Sequence, residues 1–195
     1  MSDAAIGRMQ PDEFLEWGLH QELRYELVDG MPYAMSGAKR RHDQIVANAH
    51  GLLFNLLRDH RCRYFTADTA VRIPAGNIRR PDAGIDCGRF DDNAMAADAP
   101  YVVVEVLSPS TRQLYLVGKL EEYKTVPSMT HIVILDPDIA EAIHWSRDDG
   151  GEWHHATLEG LEAKIDLPEV GCALDLETLY SGLTFQPRPR VVVNT

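Results

Sequence analysis

The sequence predicts one α/β (α+β) domain, a mixed β-sheet with helices packed on its faces. Three observations carry this. Strand-like and helix-like runs interleave along the 195 residues with no linker between them. The run Tyr101–Leu107 is apolar on both sides of the pleat, as a central buried strand is. The stretch from His42 to Arg58 repeats apolar residues at helical spacing and needs a sheet to lie on.

Pro11–Gly18 reads as a short helix, with Pro at its first turn and Asp12 and Glu13 behind it. Two β-rich runs hinged at Asp29-Gly30 form a hairpin. In the His42–Arg58 helix, Ile45, Val46, Ala49, Leu52, Leu53, Leu56 and Leu57 make the buried stripe. Residues 62–74 are strand-like, a turn follows at Ala75-Gly76-Asn77, and residues 80–87 give a short strand. The central strand ends in Ser108-Pro-Ser-Thr111, helix-start chemistry, with a helix from Arg112 to Thr125. His131–Pro137 is another strand. Residues 140–147 and 152–159 flank Asp148–Gly151 as a hairpin, and residues 174–180 form a short helix. The domain runs over 1–185, and 186–195 is a tail whose Val191–Val193 run favours a homodimer that would cover it.

The formal charge is −11, which excludes a non-specific nucleic-acid coat or a membrane-surface binder. The charge is uneven. Nine basic residues between Lys39 and Arg80 face only Asp43, Asp59 and Asp68, a net of +6 that leaves −17 elsewhere. Such a segment is either a phosphate-facing strip or a surface paired with acids. Cys62, Cys87 and Cys172 match no zinc spacing and read as reduced, buried thiols. No segment has the apolar length of a membrane helix, and a cytoplasmic location is expected.

Glu105 is the strongest chemical signal. Strand alternation puts it on one face with Val103 and Leu107, where an ionised carboxylate needs a cation partner or a metal. Asp82 follows a proline at the start of the preceding strand. Two acids on successive strands with a nearby lysine form the PD-(D/E)XK nuclease pattern. A hard divalent cation takes one or two carboxylates plus waters and a phosphate oxygen, and it lowers the pKa of an attacking water. Two positions after Glu105 stands Leu107, so the lysine is sought on the next helix, at Lys119, with Lys124 the weaker choice. Glu26 is a candidate third carboxylate, His42 a candidate phosphate contact or core histidine, and Asp86 a lesser support.

These segments resemble the Uma-type restriction endonucleases, long labelled a domain of unknown function, within the PD-(D/E)XK superfamily. The matching stretches are Tyr25–Gly30, the helix led by His42, Arg80–Asp86, Val102–Thr111, Gly118–Tyr123 and Ile134–Pro137. The resemblance implies a restriction-endonuclease-like sheet and Mg2+- or Mn2+-dependent cleavage of DNA. It implies Asp82 and Glu105 as metal ligands, Lys119 as the catalytic lysine and Glu26 as an accessory acid. Tyr115 stands where members usually carry Asp, and Pro127–His131 replaces their usual Gly-Val-x-Glu-Tyr. The competing expectation is a non-catalytic, dimeric binding or regulatory module on the same fold. A third is a hydrolase of small phosphoesters.

Overall fold

The computed structural model describes residues 7–35, 37–108 and 114–185. The elements in order are α1 (Pro11–Gly18), β1 (Tyr25–Val28), β2 (Met31–Ala34), α2 (Arg40–Leu57), β3 (Arg63–Thr66), β4 (Val71–Arg72), β5 (Ile78–Arg79) and β6 (Ala83–Asp86). They continue with β7 (Pro100–Val106), α3 (Leu114–Lys124), β8 (His131–Asp136), β9 (Glu141–Arg147), β10 (Trp153–Glu159), β11 (Lys164–Leu167), a 3-10 turn (Pro168–Val170), β12 (Cys172–Asp175) and α4 (Leu176–Leu179). The expected start signal at Pro109–Thr111 and the valine-rich tail lie outside the described residues.

Six strands form the central sheet in the order β10-β9-β8-β7-β6-β3, antiparallel except for the β7–β8 pair. That one parallel pair needs a crossover, and α3 supplies it. β7 therefore lies inside the sheet and is covered on both faces. Val102, Val104 and Val106 pack toward α2, while Val103 packs on the other side with Tyr123 of α3. The alternation that the sequence shows is the alternation that the two cores use.

A second sheet, β2-β1-β5-β4, packs Leu27 and Ile78 against Phe14 and Leu15 of α1. Its hairpin turns at Asp29 and Gly30, both at positive φ (50° and 78°), the pairing that a tight two-residue hairpin requires. One pair of strands was not foreseen. β11 and β12 close the α2-side core with α4, turning through Pro168 and a left-handed Gly171. Two four-residue strands around a Pro-x-x-Gly turn give too short a pattern to read in advance.

The cysteines require a correction. Cys62 and Cys87 are joined in a disulfide, not separate thiols, and Cys172 is the free one. The ladder explains it. Arg63 pairs with Asp86, so the next residue outward on each strand faces the other, with Cα atoms 4.1 Å apart. Among the described residues, no helix is long and apolar enough to cross a membrane.

Candidate active site

Asp82 and Glu105 come together through strand register. The β6–β7 ladder ends at Ala83↔Val104, and one further step sets Asp82 across from Glu105. The backbone N–H of Val106 donates to Asp82 Oδ2 at 2.8 Å, which pins that carboxylate against β7. His42, in the first turn of α2, holds Nε2 3.4 Å from the same oxygen. Burial opposes charge on His42, but Asp82 outweighs it and raises the imidazole above its ordinary pKa. A second α2 histidine, His50, bonds the Asp82 carbonyl at 2.9 Å.

Behind Asp82, Glu105 is 9% exposed. Its Oε1 accepts from Lys119 Nζ at 2.7 Å and from the Tyr123 hydroxyl at 2.7 Å. Both donors come from α3, four residues apart and so on one helix face. Burial pushes the Glu105 carboxyl up to about 7; Lys119 works against this, and Asp82 and Glu26 add to it. Burial also works against the charge of Lys119, yet Glu105 and Glu26 outweigh it and lift it above the ordinary lysine value. Lys119 is therefore a fixed cation.

Glu26 reaches the site from β1. It binds Lys119 Nζ at 2.9 Å, Arg79 at 3.1 Å and the Arg80 amide at 2.9 Å. Arg79 also forks onto Glu122 of α3 at 2.5 and 3.0 Å, and Asn77 donates to Glu122 at 2.8 Å. Among the described residues, four carboxyl groups (Glu26, Asp82, Glu105 and Glu122) thus gather around two permanent cations, Lys119 and Arg79. The excess negative charge sits at the Asp82–Glu105 end.

That end opens on a groove of about 1150 Å³, where Asp82, His42 and His50 meet Arg24, Arg40 and Arg80. The structure thus brings together Glu26, His42, Asp82, Glu105 and Lys119, five of the seven residues singled out from the sequence. It also divides the basic segment. Arg40 and Arg80 line the groove, whereas Arg79 is buried, Arg72 pairs with Asp12, and Arg41 binds the Pro137 and Thr184 carbonyls. Lys124 is not at the site: it pairs with Glu121 and lies 3.5 Å over the Trp145 ring. Asp86 holds the following loop, accepting from the amides of Gly88, Asp98 and Ala99.

Sequence reasoning missed Arg79, Glu122 and the Tyr123 hydroxyl. The signal was present, since Glu122 and Tyr123 follow Lys119 at the i+3 and i+4 positions of one helix face. The Tyr123 ring also packs into the apolar core on that side of the sheet.

The donor set suits a hard divalent cation: two carboxylates at adjoining strand ends, an acid excess, and an open side for waters and a phosphate oxygen. Among the described residues, a close trio of ligand-type side chains is found away from this site, at Asp148, Glu152 and His154. It is exposed on the β9–β10 turn, and turn hydrogen bonds account for it.

The family model described as Uma2, putative restriction endonuclease, matches residues 11–177. An uncharacterized Synechocystis protein, slr1290, is 27% identical over 184 residues, covering 93% of this chain and 96% of its own. A second, sll1609, is 24% identical over 158 residues, covering 79% and 89%. A crystal structure of a putative nuclease belonging to DUF820 from Anabaena variabilis superposes with a TM-score of 0.70 at 18% identity. It covers 89% of this chain and 98% of that one.

Proposed function

The chain belongs to the Uma2 putative restriction endonuclease family, and from that premise we propose that it hydrolyses phosphodiester bonds of DNA with Mg2+ or Mn2+ held by Asp82 and Glu105. One observation carries the reading: strand register sets these two acids opposite each other, Asp82 lining the groove and Glu105 buried behind it, with a fixed ammonium 2.7 Å from Glu105.

The metal would supply Lewis acidity and a more acidic bound water. The chain's own groups do the rest. Lys119, kept charged by Glu105 and Glu26, acts as an electrostatic partner for negative charge developing on the phosphate, not as a proton acceptor. Glu26 is a positioning residue, because it holds Lys119 and Arg79 in place. His42 fixes Asp82 and offers its ring to the groove. Arg40 and Arg80 give the groove the positive rim that a polyanion needs.

The test is Mn2+ titration calorimetry beside cleavage of supercoiled plasmid, on the parent, Asp82→Asn and Glu105→Gln. The parent binds Mn2+ and nicks DNA; each variant loses tight Mn2+ binding and about 10³-fold or more of the rate. Variants that cut like the parent sink the assignment. A second reading keeps the fold as a non-catalytic, dimeric binding module. What favours it is Lys119 itself, already held by two carboxylates as a structural ion pair would be. A parent that binds DNA without consuming it, and without a Mn2+ site, decides for that reading.

A further inference from the structure

A second concavity, about 490 Å³, lies along the outer edge of β3, the last strand of the central sheet. Its walls carry four aromatic rings, one of them the buried Phe65 of β3, and three guanidinium groups. Phe54 and Arg58 come from the end of α2, Arg63 and Tyr64 from β3, and Arg89 and Phe90 from the loop after β6. Phe90 is 60% and Phe54 49% exposed, a poor use of two large apolar rings unless something covers them. Arg63 lies 4.2 Å over the Phe90 ring and Arg58 5.4 Å over the Phe54 ring. Phe54 meets Tyr64 edge-on at 6.1 Å. Among the described residues, none of the three arginines is in an ion pair with an acid. The pocket's own Asp86 and Asp91 accept backbone amides of their loop.

The concavity is joined to the candidate active site. Thr66 lines both the groove and this pocket, and His50 of the groove packs against Tyr64 at 6.2 Å. Along the ladder, Asp82 and Asp86 stand four residues apart, about 13 Å of extended chain. The Cys62–Cys87 bond ties the start of β3, which carries Arg63, to the loop after β6, which carries Arg89.

We propose that this pocket is a base-stacking subsite that takes an unpaired nucleobase of the strand threaded through the groove, so that the preferred nucleic acid is single-stranded or locally opened. Aromatic faces receive a base of any identity, and guanidinium groups beside them hold the flanking phosphates. A duplex keeps its bases stacked and cannot offer one to Phe54 or Phe90. This rests on the nuclease reading and specifies its substrate class.

The experiment uses the full chain with a labelled oligodeoxynucleotide of about 12 nucleotides carrying 2-aminopurine, single-stranded or annealed, in EDTA. Expected are at least about fivefold tighter binding of the single strand and a change in 2-aminopurine emission on binding. A Phe54→Ala/Phe90→Ala double variant weakens the single strand about tenfold and the duplex less than about twofold, and the emission change disappears. Phe54→Leu/Phe90→Leu, which keeps apolar cover, behaves the same way. Equal single-strand binding by parent and variants overturns the subsite, as does equal loss on both forms. So does a parent dimer that the variants split while DNA binding is untouched, because the pocket is then a subunit contact. If the parent cleaves DNA in Mn2+ yet shows no single-strand preference, the subsite falls and the nuclease reading stands. A parent that neither cleaves nor binds overturns both.

Discussion

The two faces of the central sheet each bury a polar cluster, and they solve the problem in opposite ways. On the α3 face, Glu26, Arg79, Lys119, Glu105 and Glu122 meet in a network of carboxyl groups and permanent cations. On the opposite face, His131 Nδ1 meets His144 Nε2 at 2.9 Å, and His131 Nε2 meets Glu169 at 3.1 Å. There the fold buries imidazoles and keeps one of them neutral, with burial and then His131 driving His144 down to about 4. A core that needs only satisfied hydrogen bonds uses weak acids and bases. The charged cluster carries a higher desolvation cost and has an unbalanced acid end open to a groove. That difference separates a site from a support.

Cutting a permanent charge out of the first cluster is expected to do the most damage. Arg79→Met removes the partner of both Glu26 and Glu122 and leaves two carboxylates poorly compensated. A loss of about 3–5 kcal/mol follows, read by urea denaturation. Asp82→Asn, by contrast, changes a group at the groove edge and leaves the fold within about 1 kcal/mol of the parent while removing activity. A variant of Arg79 as stable as the parent would mean that the network contributes little to holding the sheets together. The same reasoning makes Glu105→Ala a poor probe of chemistry, because it strips Lys119 of one of its two anions. Glu105→Gln keeps the volume and an acceptor for Tyr123.

Gly84 ranks next. A Cβ there would lie 2.2 Å from Phe65 Cζ and 2.7 Å from the Val102 carbonyl oxygen on the neighbouring strand. The ring can turn; the strand cannot. Gly84→Ala is expected to cost about 1–3 kcal/mol and to displace Asp82, two residues away, so that cleavage falls as well. Thermal unfolding and plasmid nicking read the two effects separately. An alanine variant with parental stability and rate would show that β6 can shift on β7 without disturbing the acids.

Much of the first cluster was legible in the sequence. Glu105 in an apolar strand needs a partner for reasons of charge alone, and Asp82 and Lys119 were found from the pattern of two acids on successive strands with a lysine nearby. What escaped were contacts that depend on how strands distant in sequence pair. Nothing local tells that Arg79 turns inward to Glu26 while its neighbour Arg80 reaches the carbonyls of Tyr25, Ala67 and Asp68. The disulfide escaped for the same reason: 25 residues separate Cys62 and Cys87, and only the β3–β6 pairing makes them neighbours. The histidine cluster was also hidden. Its members are 13 and 38 residues apart, and each alone reads as a packing residue.

The histidine cluster gives the smallest expected effect and the clearest sign. Its members face Asp166 and Glu169 as well as each other. Burial alone would raise Glu169, but hydrogen bonds from its own amide and from His131 hold it below the usual range, so it titrates on the acid side of the window. In the folded chain His144 protonates near 4, whereas an unfolded histidine does so near 6.5. Between those values the unfolded chain binds a proton that the folded chain refuses, so stability falls as pH drops. The contribution is complete above about pH 6.5 and is lost on the way to about pH 4. Because His144 is partly exposed, the loss is on the order of 1 kcal/mol. His144→Gln keeps a donor for the ring of His131 and cannot titrate. Its urea midpoint should therefore fall less than the parent's between pH 7 and 4.5. Parallel curves for the two proteins would show that the back face of the sheet is not where acid first acts, and would move that sensitivity to the carboxylates around Lys119.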